Sequence, residues 1–213
     1  MEVDTTVKDK ILILVAGAPG TGKTYSVNII RQAFPALRTL TLDRFKEDIW
    51  DEIGFDDIEQ KKSLNKEAQL RFIRAMRRLM IWEKPIISDY PFSDKQRDDI
   101  EKSADDYGYH IVTVRLEAPD QVLYERQRHR DLFDHRHPGH LQNAYHLEDQ
   151  AKGTAKLDGM PTFEQFQKRL RKRKYDKFYI GDLLKVDVSD FQQVNYQRIV
   201  EQLSESIKQV ERT

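Results

Sequence analysis

The stretch Lys10 to Thr24, KILILVAGAPGTGKT, constrains what this chain can fold into more than any other. An apolar run from Ile11 to Ala16 breaks into a glycine-rich turn that closes on Lys23 and Thr24. Gly17, Gly22, Lys23 and Thr24 fit the spacing G-x-x-x-x-G-K-[ST]. In that pattern the backbone curls so that successive N–H groups point inward at an anion. Gly20 adds freedom where a Cβ would obstruct the curl. A helix beginning near Gly22 turns its unpaired amides and the positive end of its dipole to the same place. A lysine at position 23 would reach the β- and γ-phosphates of a nucleotide, and a hydroxyl at Thr24 would ligate Mg²⁺. Gly17, Ala18, Pro19, Gly20, Thr21, Gly22, Lys23, Thr24 and Tyr25 are the candidate nucleotide contacts.

A fixed Gly-Gly-Lys-[Ser/Thr] match arises by accident in a chain this long at roughly the one per cent level. Context reduces that further. A β-branched apolar run precedes the match, and Tyr25–Phe34 follows with helical spacing at Val27, Ile30 and Phe34. The competing reading is a plain Gly/Pro-rich turn between a strand and a helix.

The 213 residues suit one domain spanning 1–213, long enough to bury a sizeable core. Lys plus Arg and Asp plus Glu are both 36, so net charge gives no general attraction to nucleic acid or membrane. With no cysteine, disulfides and thiolate metal sites are excluded. The N-terminal MEVDTTVKDK has no apolar signal core and no apolar run reaches membrane-spanning length, so a cytoplasmic protein is expected.

Strand-like runs recur at Ile11–Ala16, Leu37–Leu42, Pro85–Ser88, Ile111–Leu116 and Leu183–Val188. Helical patterns separate them at Tyr25–Phe34, Arg44–Ile53, Glu59–Trp82, Asp94–Tyr107, Pro119–Arg130 and Asn195–Val210. This alternation predicts an α/β fold with a mostly parallel sheet flanked by helices. Ligands of such sheets bind beyond the carboxyl ends of the strands, which selects the polar residues of interest.

Asp43 follows the second strand and would face the phosphate loop, where a carboxylate accepts a proton from an attacking hydroxyl. The alternative is that it caps the helix Arg44–Ile53. Asp89 ends the third strand, where an Asp holds Mg²⁺ directly or through water; otherwise it is a turn residue before Pro91. The Arg- and His-rich segment Pro119–His140 carries Arg126, Arg128, Arg130 and Arg136, cations that would neutralise a triphosphate during transfer. Arg126 and Arg130 share a helix face and Arg128 points elsewhere. The alternative is a solvated helix end with favourably placed cations.

Five of the six histidines lie between His129 and His146, but they lack an i, i+4 pair with an adjacent carboxylate base. A structural metal there is the lesser reading, and His137-Pro-Gly-His140 reads as a turn. Lys168–Lys174, KRLRKRK, is a basic cluster that suits either a solvated helical face or contact with a nucleic acid.

Taken together, GAPGTGKT, LDRFKEDIWDEIGFDD, IISDYPF and RHPGH resemble the P-loop kinases of the AAA-like, zeta-toxin-related group, near chloramphenicol phosphotransferase and polynucleotide 5′-kinase. The resemblance runs from Lys10 to His140, with a weaker continuation through Val186–Phe191. The Asp-x-x-Lys-Glu stretch at Asp43–Glu47 and the His-Pro-Gly-His segment are its narrower markers. It implies a three-layer fold with five parallel strands in the order 2-3-1-4-5 and a helical, Arg-rich lid at about 126–175. It also implies Asp43 as base, Arg126, Arg130 and Arg136 as phosphate-contacting lid arginines, ATP and Mg²⁺ as cofactors, and a hydroxyl-bearing small molecule or nucleotide as acceptor. Tyr25 departs from the pattern, since Thr or Ser is common there, and 141–160 matches nothing that carries over. The absence of an Asn/Thr-Lys-x-Asp motif favours adenine over guanine. A nucleotide-operated switch and a polynucleotide end kinase are the rival readings.

Overall fold

The computed structural model describes residues 10–134, 136–150 and 158–209. Its frame is a five-stranded sheet, β1 (Ile11–Ala16), β2 (Arg38–Thr39), β3 (Ile86–Asp89), β4 (His110–Glu117) and β5 (Asp182–Asp187). All pairings are parallel and the spatial order is β2-β3-β1-β4-β5, as expected. The helices are α1 (Lys23–Ala33), α2 (Leu42–Ile53), α3 (Ile58–Ile81), α4 (Asp94–Tyr107), α5 (Asp120–Phe133), the single turn α6 (Leu147–Gln150), α7 (Phe163–Arg173) and α8 (Tyr196–Gln209).

The continuous apolar run of β1 follows from burial on both sides. Successive side chains of a strand point to opposite faces, so a strand covered twice has no polar face to display. Leu12, Leu14 and Ala16 pack with Phe72 and Met76 of α3 and Ile100 of α4. Ile11, Ile13 and Val15 pack with Val27 and Ile30 of α1 and Leu203 and Ile207 of α8. Phe72 is fully buried in the first cluster, so truncating it to Ala would cost about 3–5 kcal/mol.

The second strand is much shorter than the apolar run Leu37–Leu42 predicts. Leu40 still donates its N–H to Ile87 O at 2.9 Å, but Thr41 is already the residue that starts α2 and Leu42 is helical. Asp43 therefore lies inside the first turn of α2 and is not its cap. Elsewhere α1 begins at Lys23, beside the start expected near Gly22, and α5 continues past Arg130 to Phe133. The end expected for the last helix, Val210, lies outside the described residues, as do 135 and 151–157 of the expected lid. The basic cluster belongs to α7, which starts with a reciprocal Thr162–Gln165 capping box.

Register decides what the sheet presents at its carboxyl edge. Val15 is paired with Asp89, so the end of β3 stands beside the point where β1 enters the glycine-rich turn. On the other side, the α2–α3 connection is joined to the expected lid segment. Phe55 and Tyr145 exchange backbone hydrogen bonds of 2.7 Å in both directions.

Candidate active site

The glycine-rich turn is held by its own polar atoms. Ala18 O accepts from Thr21 Oγ1 at 2.9 Å and from Lys23 Nζ at 2.9 Å, and Thr21 Oγ1 accepts from Lys23 Nζ at 3.4 Å. Gly20 has φ +91°, and a Cβ there would stand 2.3 Å from Leu123 O, so both backbone and space demand glycine. Pro19 lacks an N–H and shapes the loop without offering a donor. Tyr25 supplies a backbone position in the first turn of α1, while its side chain is 60% exposed and meets Tyr196 edge-on at 5.4 Å. Burial pushes the Lys23 ammonium down to about 8; Asp89 opposes this, Arg130 and Arg136 reinforce it, and Asp43 opposes it again. Those groups thus act on the loop lysine from β3, α2, α5 and the segment after α5.

Asp89, only 6% exposed, accepts two hydroxyl hydrogen bonds, from Thr24 at 2.8 Å and from Thr41 at 2.7 Å. One carboxylate ties together the start of α1, the start of α2 and the end of β3. Thr24 Oγ1 and Asp89 Oδ2 form an all-oxygen, partly anionic donor set beside the loop, which fits Mg²⁺ and its preference for hard ligands. Thr41 was not singled out by its sequence context, since a threonine before a helix ordinarily reads as a cap.

Asp43 pairs with Lys46 at 2.9 Å, one turn along α2, and Lys46 also donates to Tyr90 OH at 2.7 Å and lies 4.4 Å from the Tyr90 ring centre. Burial raises the Asp43 carboxyl, but Lys46, His140 and Arg136 outweigh it and hold the group well below the usual carboxylate range. Burial likewise disfavours the Lys46 ammonium, and Tyr90 and Asp43 outweigh that to push it above its ordinary value. Asp43 is therefore anionic at any working pH. Its side chain remains 36% exposed, so a ligand can reach it.

The arginines divide into two sets. Asp131, 4% exposed, accepts Arg136 at 2.5 Å and Arg130 at 3.3 Å on one oxygen and Gln127 at 3.1 Å on the other. One buried carboxylate thus orients two guanidiniums and leaves the group net positive, which suits an anionic ligand. Burial lowers the Arg130 pKa from its ordinary value, Arg136 adds to that, and Asp131 opposes it. Arg126 departs from the expectation that it faces the triphosphate with the others. Its guanidinium donates to Val188 O at 2.6 Å and Ser189 O at 2.9 Å and stacks 3.7 Å from the Phe191 ring centre. Phe191 in turn lies against Gly22, where an added Cβ would be 2.9 Å from its ring. Helical spacing places Arg126 and Arg130 on one face, but the carbonyls beyond β5 capture Arg126. Arg128 is exposed.

Within the His-rich segment three histidines face one carboxylate each: His137 with Asp51 at 3.0 Å, His140 with Glu47 at 2.8 Å and His146 with Asp56 at 2.9 Å. Tyr145 OH also donates to Asp51. These pairs join α2 and the turn after it to the segment 137–146. Among the described residues no group of three or more His, Asp or Glu side chains is arranged to hold a metal ion, and His135 lies outside them. In α7, Lys168, Arg171 and Lys172 face solvent, whereas Arg169 turns inward to donate to Gln127 Oε1 at 3.1 Å. A cleft of about 760 Å³ opens at the carboxyl ends of β4 and β5 against Ala18, Pro119, Tyr175 and Ser189; Asp43 and Asp89 do not line it.

Among the residues that hold the site together, Asp131 and Thr41 carry no signal of their own in the sequence, and Lys46 is marked only by the Asp-x-x-Lys-Glu stretch. Lys46 stands in the Asp-x-x-Lys spacing after Asp43, which marks an i, i+3 pair once the helix is known. Asp131 sits in an ordinary charged helix, and only the fold reveals that it is buried.

The sequence model of the AAA domain family matches residues 12–145. No curated protein matches the chain in sequence. In three dimensions it is similar to a protein of Chloroflexus aurantiacus provisionally assigned as a kinase, at 20% identity over 93% of this chain and 98% of that one, with a TM-score of 0.69. It is also similar to shikimate kinase of Bacteroides thetaiotaomicron, at 15% identity over 93% and 98% and a TM-score of 0.55. A third is gluconokinase of Sinorhizobium meliloti, at 16% identity over 95% and 94% and a TM-score of 0.54. At these identities the likeness is one of fold.

Proposed function

The chain belongs to the AAA domain family and has the sheet order of the P-loop kinases, and from that premise we propose that it is an ATP- and Mg²⁺-dependent kinase acting on a hydroxyl of a small molecule or nucleotide. The observation that carries this reading is convergence. The loop lysine Lys23 stands within electrostatic reach of Asp89, Asp43, Arg130 and Arg136 together. A loop for the β- and γ-phosphates, a carboxylate for the acceptor and two lid cations are the parts phosphoryl transfer needs, because it depends mainly on positioning and charge neutralisation.

In this reading the triphosphate takes the amides of 17–24 and displaces Lys23 Nζ from Ala18 O. Arg130 and Arg136, already aimed by Asp131, meet the transferring group from the lid side. Mg²⁺ held by Thr24 and Asp89 would neutralise charge on the phosphate oxygens. Asp43 accepts the acceptor's hydroxyl proton while that oxygen bonds to the γ-phosphorus and the bond to the β-phosphate oxygen breaks. A carboxylate of low basicity serves, because in a loose transition state the proton leaves late. Arg126 and Phe191, stacked beside Gly22, offer a guanidinium and an aromatic face to a planar nucleobase. Shikimate kinase and gluconokinase, by their names, phosphorylate small hydroxylated compounds, which agrees with a small acceptor here.

The test is incubation with γ-labelled ATP and a metabolite extract, followed by mass spectrometry. The kinase reading expects a product heavier by one phosphoryl group that carries the label. ATP hydrolysis or nucleotide binding with no such product would favour a nucleotide-operated switch.

A further inference from the structure

Resting on the kinase reading, we infer that the acceptor carries an anionic oxygen group, a carboxylate or a phosphate ester, besides its reacting hydroxyl, and that Lys61 is the residue that recognises it. Lys61 lies in the first turn of α3, and its ammonium reaches back over the α2 side of the site. Nζ donates to Gln142 O at 2.8 Å and stands 5.5 Å from the Trp50 ring centre and 5.1 Å from that of Phe55.

What sets Lys61 apart is the company it keeps. Lys46 is neutralised by Asp43, and Arg130 and Arg136 share Asp131. Among the described residues no carboxylate lies within 4 Å of Lys61. The charged groups that face it are Lys46 and Arg136, which repel it, with Asp158 opposing them. Burial, then those two cations, pushes its pKa down to about 8.

Lys23 is built the same way. It too is partly buried, bonded to a backbone carbonyl and without a carboxylate partner, and it too is pushed down to about 8. A half-desolvated ammonium set among like charges is costly unless something anionic completes it. For Lys23 that group is the triphosphate. For Lys61 it belongs to another ligand, and the nearness of Lys46, the ion-pair partner of Asp43, makes that ligand the acceptor. Trp50, 1% exposed, forms the apolar floor on which the ammonium rests.

The spacing limits the acceptor's size. Asp43 and Trp50 are seven residues apart on α2, about 10 Å along its axis. The hydroxyl and the anionic group are therefore separated by on the order of 10 Å, the scale of a small molecule.

The test uses the full chain with ATP, Mg²⁺ and matched acceptors: neutral polyols, the corresponding hydroxy acids and the corresponding phosphate monoesters. Phosphoryl transfer and binding by calorimetry are both measured, for wild type, Lys61→Met and Lys61→Arg. Methionine keeps the stem that packs on Trp50 and Phe55, so the fold is retained. The proposal expects transfer to an anionic member, with the carboxylate and phosphate arms deciding which. It expects Lys61→Met to raise the acceptor KM by about 10- to 100-fold with kcat and nucleotide KM little changed, and Lys61→Arg to restore most of the loss. Equal use of neutral and anionic members, or an unchanged acceptor KM in Lys61→Met, overturns the proposal and leaves the kinase reading standing. Lys61-dependent binding of an anionic member without transfer sustains recognition by Lys61 and overturns the kinase reading. Neither binding nor transfer overturns both.

Discussion

Thr24 donates its hydroxyl to Asp89 Oδ2 at 2.8 Å, joining the first turn of the helix after the glycine-rich loop to the end of a strand 65 residues away. The other oxygen of the same carboxylate takes Thr41 at 2.7 Å. Asp89 is therefore a structural tie and, on the proposed function, part of the metal site. Asp89→Asn is isosteric and can still accept one of the two hydroxyls, so melting is expected to shift by only a few degrees, about 1 kcal/mol of hydrogen bonding. The Mg²⁺ concentration for half-maximal activity should rise by about tenfold or more, because a neutral amide oxygen binds a hard dication more weakly. A Mg²⁺ titration with parallel thermal melts measures both.

On the proposed function, Arg126 serves nucleotide binding and not the chemical step. It stacks on Phe191 at 3.7 Å and is bonded to the carbonyls of Val188 and Ser189, away from the Asp131 group. Arg126→Met is expected to raise the nucleotide KM by about 3- to 30-fold, the value of a partly desolvated cation–π contact, and to change kcat little. Arg136→Met should do the reverse and mainly lower kcat, because on the proposed function the guanidinium held by Asp131 meets the transferring group. Steady-state kinetics of the two variants side by side test the division.

His140 makes the fold sensitive to mild acid. Burial beside Trp50 pushes its pKa below the ordinary histidine value, with Glu47 and Asp43 opposing. The unfolded chain, with a pKa of about 6.5, then binds more protons than the folded one, so stability rises with pH. The contribution is fully present above about pH 7.5 and is lost as pH falls through 6.5 toward the lower folded value. Asp43 works in the same direction, but its window lies below the unfolded carboxylate pKa of about 3.9 and does not overlap. Denaturant melts between pH 5 and 8 should show a shallower pH slope for His140→Gln, whose amide can still donate to Glu47. An identical slope in the two proteins contradicts the assignment.

Much of this architecture is legible in the residues. Strands buried on both faces announce themselves as unbroken apolar runs, as β1 does, and α4 has the predicted limits because a capping box at Ser93 and Gly108 bound it. The glycine-rich loop is legible because its spacing is a backbone requirement. Less was visible where tertiary contacts override local pattern. Leu40 and Leu42 look like one strand, yet Thr41 leaves the sheet to meet Asp89, and that departure is what carries Asp43 into the first turn of a helix. Arg126 and Arg130 share a helical face in sequence but are parted by carbonyls from a loop 62 residues away and a buried carboxylate next to Arg130. No local pattern distinguishes Asp131 or Lys61 from the many solvated charges of this chain. The burial of Asp131 between two arginines, and the separation of Lys61 from any carboxylate among the described residues, exist only once α3, α5 and the segment around Gln142 are assembled.

Asp43 is the residue on which the proposed phosphoryl transfer depends most. Single-turnover transfer from γ-labelled ATP to an acceptor identified by the extract experiment should be compared for wild type, Lys23→Met and Asp43→Asn, with nucleotide affinity and melting measured on the same samples. The expectation is that Asp43→Asn folds, binds nucleotide within about threefold of wild type, and transfers the phosphoryl group about 10²- to 10⁴-fold more slowly, as loss of a general base requires. A folded Asp43→Asn protein that transfers at the wild-type rate would contradict it.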